Sequence, residues 1–252
     1  MKQTRIIMGT PVTIEISDKE SSQELFEEVF SYFTYIDDKF STYKESSEIT
    51  AINQGKIKKD DWSEDMKIVF ALSEETKVLT NGYFDIVTLE GNYDPSGLVK
   101  GWAIFNAAQI LKRRNIHNFY VEAGGDIETH GLNSEGKPWI IGIQNPFAKK
   151  REVVKTVYLK DKGIATSGTS VRGQHIYNPI DKINAIQDIV SITVIGPNIH
   201  EADRFATAAF AMGNKGINFI ESLIGFEGYM IDEKGVGTMT SGFNNYTSEK
   251  YV

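Results

Sequence analysis

Hydrophobic positions recur along this chain with two periods, and the switches between them mark out its elements. Over residues 11–16, Val12, Ile14 and Ile16 alternate with Thr13 and Glu15, the period-two pattern of a half-buried strand. The period then lengthens. Leu25, Val29, Phe33 and Ile36 form a stripe every three or four residues, and Ser21 with Glu24 has capping-box spacing ahead of it, which predicts a helix. Phe40-Ser41-Thr42-Tyr43 leaves that helix, and Ser47-Glu48-Ile49 opens a short turn or helix ending near Asn53-Gln54-Gly55. Ser63 is placed to cap a further helix carrying Met66, Val69, Phe70, Ser73, Val78 and Leu79, stopped by Asn81-Gly82. Residues 83–87 then read as extended. The longest helical pattern follows, from Leu98 through Trp102, Ile104, Phe105, Ala108 and Leu111 to Lys112-Arg113-Arg114, where basic side chains suit the negative end of a helix dipole.

Strands dominate the second half. Residues 119–122 form a strand pattern running into Ala123-Gly124-Gly125-Asp126-Ile127, where adjacent glycines suggest a turn with positive φ or a backbone pressed close to something. Residues 139–143 and 153–159 read as strands of an antiparallel meander, joined across Asn145-Pro146 and a basic turn. Residues 190–195 predict another strand, residues 201–210 a helix, residues 215–223 a further helix, and residues 229–231 a strand before a hairpin-like tail.

Composition narrows the function classes more than the fold. The 252 residues show no composition shift and no Pro/Gly/Ser-rich linker, so residues 1–252 read as one domain. A formal net charge of -7, with 27 dispersed basic residues, argues against a nucleic-acid footprint but not against one phosphorylated ligand. The absence of cysteine excludes disulfides, thiolate metal sites and cysteine nucleophiles. No run approaches the ~20 apolar residues of a membrane span, and nothing after Met1 has the length of a signal peptide. As given, the chain is expected in the cytoplasm; removal of a leader would instead make it an exported protein.

Four places in the chain carry candidate chemistry. Asp94-Pro95-Ser96-Gly97-Leu98-Val99-Lys100-Gly101 leads into the longest helix, where unpaired N–H groups attract anions, Gly97 allows close approach and Lys100 adds positive charge. Taken alone, this reads first as an ordinary helix cap with a solvated lysine. Asp203 and Thr207, four residues apart on a helix, present a carboxylate and a hydroxyl on one face, a hard-oxygen half-site of the kind magnesium takes with phosphate oxygens and water. The bland alternative is a surface carboxylate beside a threonine bonded back to its own helix. His175, one of four histidines, is a natural proton carrier at neutral pH if its neighbours converge on it. Tyr43 is either a packed aromatic or a stacking platform for a planar ligand.

In order along the chain, these pieces resemble the ApbE family of FAD:protein FMN transferases. The resemblance rests on Met8-Gly9-Thr10-Pro11-Val12, Phe40-Ser41-Thr42-Tyr43, Ser47-Glu48-Ile49, Phe84-Asp85-Ile86, the loop from Asp94 to Gly101, Ala123-Gly124-Gly125-Asp126, Ala165-Thr166-Ser167-Gly168, His175-Ile176, and Ala202-Asp203 with Ala206-Thr207-Ala208. It implies a single α+β domain of T-fold-like type, with helices packed on antiparallel sheets. It also implies a magnesium-dependent enzyme that cleaves FAD and passes FMN, through its phosphate, to a threonine or serine of a partner protein, releasing AMP. By position, Met8, Tyr43, Tyr83, Phe84, Asp85, Asp94, Lys100 and Tyr177 match the family's flavin-nucleotide contacts, with Asp126 a candidate further contact. Asp203 and Thr207 match its metal ligands, with a main-chain oxygen from Gly97, and His175 matches the proton acceptor for the incoming hydroxyl.

The chain departs from the family pattern in two places. Asp85 to Asp94 is nearly direct where longer members insert several tens of residues, which suggests a compact, more open site. Asn178-Pro179-Ile180-Asp181-Lys182 stands where the family usually has Asp-Pro and then Thr-Gly. The rival activities are hydrolysis of FAD to FMN and AMP, and flavin binding without turnover.

Overall fold

The computed structural model describes residues 1–148, 152–169, 177–181 and 185–248. Its backbone is an eight-stranded sheet of β1 (Lys2–Ile7), β2 (Thr10–Ile16), β3 (Phe119–Ala123), β4 (Asp126–His130), β7 (Gly163–Gly168), β8 (Ile189–Gly196), β9 (Glu227–Asp232) and β10 (Gly237–Met239), in that spatial order. Every neighbouring pair is antiparallel. A separate two-stranded sheet joins β5 (Trp139–Gln144) to β6 (Val153–Leu159), the expected meander.

The helices are α1 (Gln23–Phe40), α2 (Glu48–Asn53), α3 (Glu64–Leu79), α4 (Ser96–Arg113), α5 (Ile199–Ala211) and α6 (Gly216–Ser222). Alternation in β2 and β3 sends Val12, Ile14, Ile16, Phe119, Val121 and Ala123 into one core with the apolar stripes of α1, α4 and α5. This is the α+β arrangement of helices on an antiparallel sheet. A smaller core of Ile143, Val157, Leu159, Ile164, Ile195 and Phe243 fastens the β5–β6 pair to the main sheet. Among the described residues no helix is long and apolar enough to cross a membrane.

Local chemistry corrects some boundaries. The cap of α1 is Ser22 rather than Ser21: its extended backbone lets its hydroxyl accept from Leu25 N–H at 3.3 Å, so the third helical position is Leu25 and the Ser21/Glu24 capping box does not form. α4 starts at Ser96, two residues earlier than the apolar pattern suggests, because Pro95 serves as its cap and the Asp94 carboxylate accepts the Ser96 N–H at 3.0 Å. Residues 83–87 form no strand; a single bridge between Val87 and Tyr93 and the Asp94 N–H to Ile86 carbonyl bond close them into a loop. β4 had no clear sequence pattern. Its buried polar residues Asp126, Glu128 and Thr129 disguise a strand that lies in the middle of the sheet.

Candidate functional site

Two helices crossing at close range form the centre of the site. Gly97 and Gly101 lie one turn apart on α4, and Asp203 and Thr207 one turn apart on α5. The Thr207 hydroxyl donates to the Gly97 carbonyl at 3.2 Å, and the Gly101 N–H donates to Oδ2 of Asp203 at 2.7 Å. Glycine at both α4 positions makes this possible: a Cβ at residue 101 would lie 2.5 Å from the Asp203 Cβ, and one at residue 97 would lie 3.0 Å from Cγ2 of Thr207. A carbonyl, a hydroxyl and a buried carboxylate thus stand side by side although a hundred residues separate them in the chain. All three are hard oxygen donors. No group of three or more His, Cys, Asp or Glu side chains with metal-holding geometry exists among the described residues. One carboxylate with neutral oxygens suits magnesium, which keeps waters and recruits phosphate oxygens, better than it suits an all-protein cage.

α5 is held at its start and at its middle. Glu128, on β4, accepts the Ile199 N–H at 2.6 Å, and Asn198 caps the Glu201 N–H at 3.0 Å. Further along, the buried Arg204 bonds Glu201 on its own helix and Glu75 and Thr76 on α3. Burial pushes the Glu128 carboxyl up to about 7, against the opposing effects of the Ile199 N–H and Lys112. The folded state therefore binds this proton between the ordinary carboxylate value and about pH 7, and its stabilising contribution is lost as pH rises through that window. Burial drives the neighbouring His200 the other way, down to about 4, so it opposes folding as pH falls below its ordinary value. Comparison with Glu128→Gln isolates the carboxyl. From pH 4.5 to 8 the stability of the variant is expected to gain on the wild type by on the order of 3 kcal/mol in parallel denaturant titrations; a pH-independent difference would show that Glu128 does not titrate in this range.

A cleft of about 1210 Å³ opens beside the helix crossing and runs on between the main sheet and β5. Tyr83, Phe84, Asp85, Asp94, Gly97, Lys100, Tyr177, Asp203 and Thr207 all line it. Met8 and Tyr43 instead line a smaller recess, which meets the cleft at Asp94, Ser96 and Lys100. Phe84 is buried beside Gly97 in the cleft wall, whereas Tyr43 is 97% exposed at the outer rim. Asp85 is occupied by an ion pair with Lys77 at 2.8 Å, and the Tyr177 hydroxyl donates to the Val87 carbonyl at 2.9 Å, closing the loop over the cleft wall.

Asp126, the candidate further contact, does not line the cleft. It is 1% exposed and its carboxylate faces Lys100, with Nζ 2.5 Å from Oδ2. His175 lies outside the described residues. Sequence reasoning missed Gly101 and Glu128. Gly97 and Gly101 share a helix face at a spacing of four, a sign of close helix crossing that was available in the sequence; the partner of Glu128 was not.

The fold and the crossing define a class. The ApbE family model matches residues 8–90 and 89–230, and this chain belongs to the ApbE family. Among individual relatives, the FAD:protein FMN transferase of Vibrio cholerae serotype O1 is 34% identical over 147 residues, 51% of this chain and 44% of that protein. The FAD:protein FMN transferase of Klebsiella pneumoniae is 30% identical over 155 residues, 58% of this chain and 44% of that protein. The chain thus spans less than half the length of either of these curated relatives. The Haemophilus influenzae FAD:protein FMN transferase matches more broadly, at 26% identity over 84% of this chain and 82% of its own length. Of solved structures, the ApbE protein of Thermotoga maritima superposes with a TM-score of 0.87 at 23% identity over 99% of both chains. The flavin transferase ApbE of Vibrio cholerae gives 0.85 at 25% identity over 98% of both.

Proposed function

We propose that this chain is a magnesium-dependent FAD:protein FMN transferase. The observation that carries the proposal is the convergence of the Gly97 carbonyl, the Thr207 hydroxyl and the Asp203 carboxylate at the end of a cleft that also receives Lys100. Membership of the ApbE family and the names of the relatives above support the same reading.

In this reading the hydroxyl oxygen of an acceptor threonine or serine attacks the FMN phosphorus of bound FAD. The new P–O bond forms as the bond to the AMP phosphate breaks, AMP leaves, and the hydroxyl proton passes to a base, the role assigned to His175. Reactions of this kind need positioned nucleophiles and fixed charges more than covalent help from the protein. Gly97, Asp203 and Thr207 would hold the magnesium ion, which when bound neutralises charge on the pyrophosphate. Lys100 and the start of α4 hold phosphate oxygens. Phe84, Tyr83 and Tyr177 receive the ring system, Asp85 and Asp94 its polar edges, and Met8 and Tyr43 bound the ligand from the recess.

One observation favours a second reading. Tyr43, the aromatic expected to close over the flavin, stands exposed at an open rim that admits water, so hydrolysis of FAD to FMN and AMP uses the same groups. Incubation with FAD, magnesium and a threonine-bearing acceptor peptide, following AMP and peptide mass together, separates the cases. Transfer gives AMP and a peptide heavier by one FMN. AMP with free FMN and unchanged peptide gives the hydrolase, and intact FAD leaves a flavin binder and sinks both catalytic readings.

A further inference from the structure

We infer that Asp126 is a positioning residue that acts on the reaction through Lys100, without touching the ligand. The inference rests on the FMN-transfer reading of the cleft. Gly124, Gly125 and Ile127 line the cleft, but Asp126 between them does not, and its side chain is buried. Its two carboxylate oxygens are held differently: Oδ1 accepts the Thr166 N–H at 2.9 Å, while Oδ2 accepts no hydrogen bond among the described residues and is ion-paired with the Lys100 ammonium at 2.5 Å. The Thr166 contact is built into the sheet. The β4–β7 ladder covers only Ile127 with Ile164 and Glu128 with Gly163, and the carboxylate takes the N–H of Thr166 just beyond its end. The Thr166 hydroxyl is itself 2.8 Å from that of Thr193 on β8. The carboxylate is therefore fixed by the centre of the sheet.

Lys100 lies one turn along α4 from Gly97, at the junction of cleft and recess. Its long stem has many rotamers, and a point charge contributes to a transition state only when it is held where charge develops. A buried carboxylate in turn requires a paired cation. The pair thus fixes the ammonium beside the helix crossing while keeping the negative charge off the cleft surface. Its removal should affect turnover more than binding.

Asp126→Asn keeps an oxygen for the Thr166 N–H and deletes the charge. With FAD and saturating magnesium, kcat for AMP release is expected to fall by about tenfold or more. KM for FAD is expected to stay level or drop, because a negative charge has left the neighbourhood of an anionic pyrophosphate. In a Lys100→Gln background the same change should cost nothing further, since neighbours acting through one group are not additive. A raised KM at unchanged kcat, or losses that multiply in the double variant, would overturn the inference. Flavin-fluorescence titration of the four proteins with FAD keeps the test independent of turnover. If the wild type releases no AMP, the transfer reading fails; a change in FAD affinity on Asp126→Asn only when Lys100 is present still supports the coupling, and equal changes in both backgrounds overturn it. Should Asp126→Asn not fold, Lys100→Arg serves: it keeps the charge on a differently shaped group, and full kcat in that variant would overturn the positioning role.

Discussion

Replacing Asp203 with asparagine is expected to lower magnesium-dependent AMP release from FAD by about 10²- to 10³-fold, the usual loss when one preorganised electrostatic group at a reacting centre is removed. The fold should survive. Asparagine keeps an oxygen in place for the Gly101 N–H, which Asp203 accepts at 2.7 Å, so the contact between α4 and α5 persists while the negative charge goes. Asp203→Ala differs in kind, because it also removes the bond that the Gly101 N–H makes across the helix crossing, at a cost of about 0.5–1.5 kcal/mol in stability. The pair of variants separates chemistry from architecture. Equal activity losses with a lower melting temperature only in the alanine variant would locate the effect in the charge. Retained magnesium-dependent AMP release in Asp203→Asn would remove the residue from the metal site.

Three helices and one strand were legible in the sequence, and the way they meet was not. α1, α4 and α5 bury continuous apolar stripes, so their period was visible, as was the alternation of β2. The same reasoning places Asp203 and Thr207 on one face of α5 and Gly97 at the head of α4, but spacing along a chain says nothing about which helix crosses which. That information lies in the sheet order, in particular in β7 and β8, which carry the chain from β4 back to the start of α5. β4 itself was illegible as a strand because its inward positions bear carboxylates. Asp126 and Glu128 are buried for their partners, Lys100 and the Ile199 N–H, and not for apolar contact. Asp126, a candidate further contact by sequence, is buried against Lys100 and does not line the cleft: a carboxylate following two glycines looks like a binding loop when its cation is twenty-six residues upstream.

The largest structural effect is expected at Gly101. An alanine there gains helix propensity of about 1 kcal/mol over glycine, and on an exposed face it would stabilise α4. At this crossing the new methyl group would lie 2.5 Å from the Asp203 Cβ, 2.9 Å from its Oδ2 and 2.9 Å from the Ile199 carbonyl oxygen. Two of these neighbours sit at or close to the backbone of α5, whose start is fixed by Glu128 and whose middle is fixed by Arg204, so the helix cannot simply slide away. Overpacking of this kind costs about 1–3 kcal/mol and exceeds the propensity gain. The same displacement moves Asp203 relative to the Gly97 carbonyl, and misplacement by ~1 Å at a reacting centre is enough for a loss of about 10² in rate. Gly97→Ala provides the graded comparison. Its methyl would meet Cγ2 of Thr207 at 3.0 Å and Cε2 of Phe84 at 3.4 Å, both side-chain atoms that yield by a few tenths of an ångström. Denaturant midpoints and AMP release measured for both variants should therefore fall in the order wild type, Gly97→Ala, Gly101→Ala. A Gly101→Ala protein as stable and as active as the wild type would mean that α4 and α5 leave room for a methyl group at Asp203, and with that separation the shared site of Gly97, Asp203 and Thr207 would be lost.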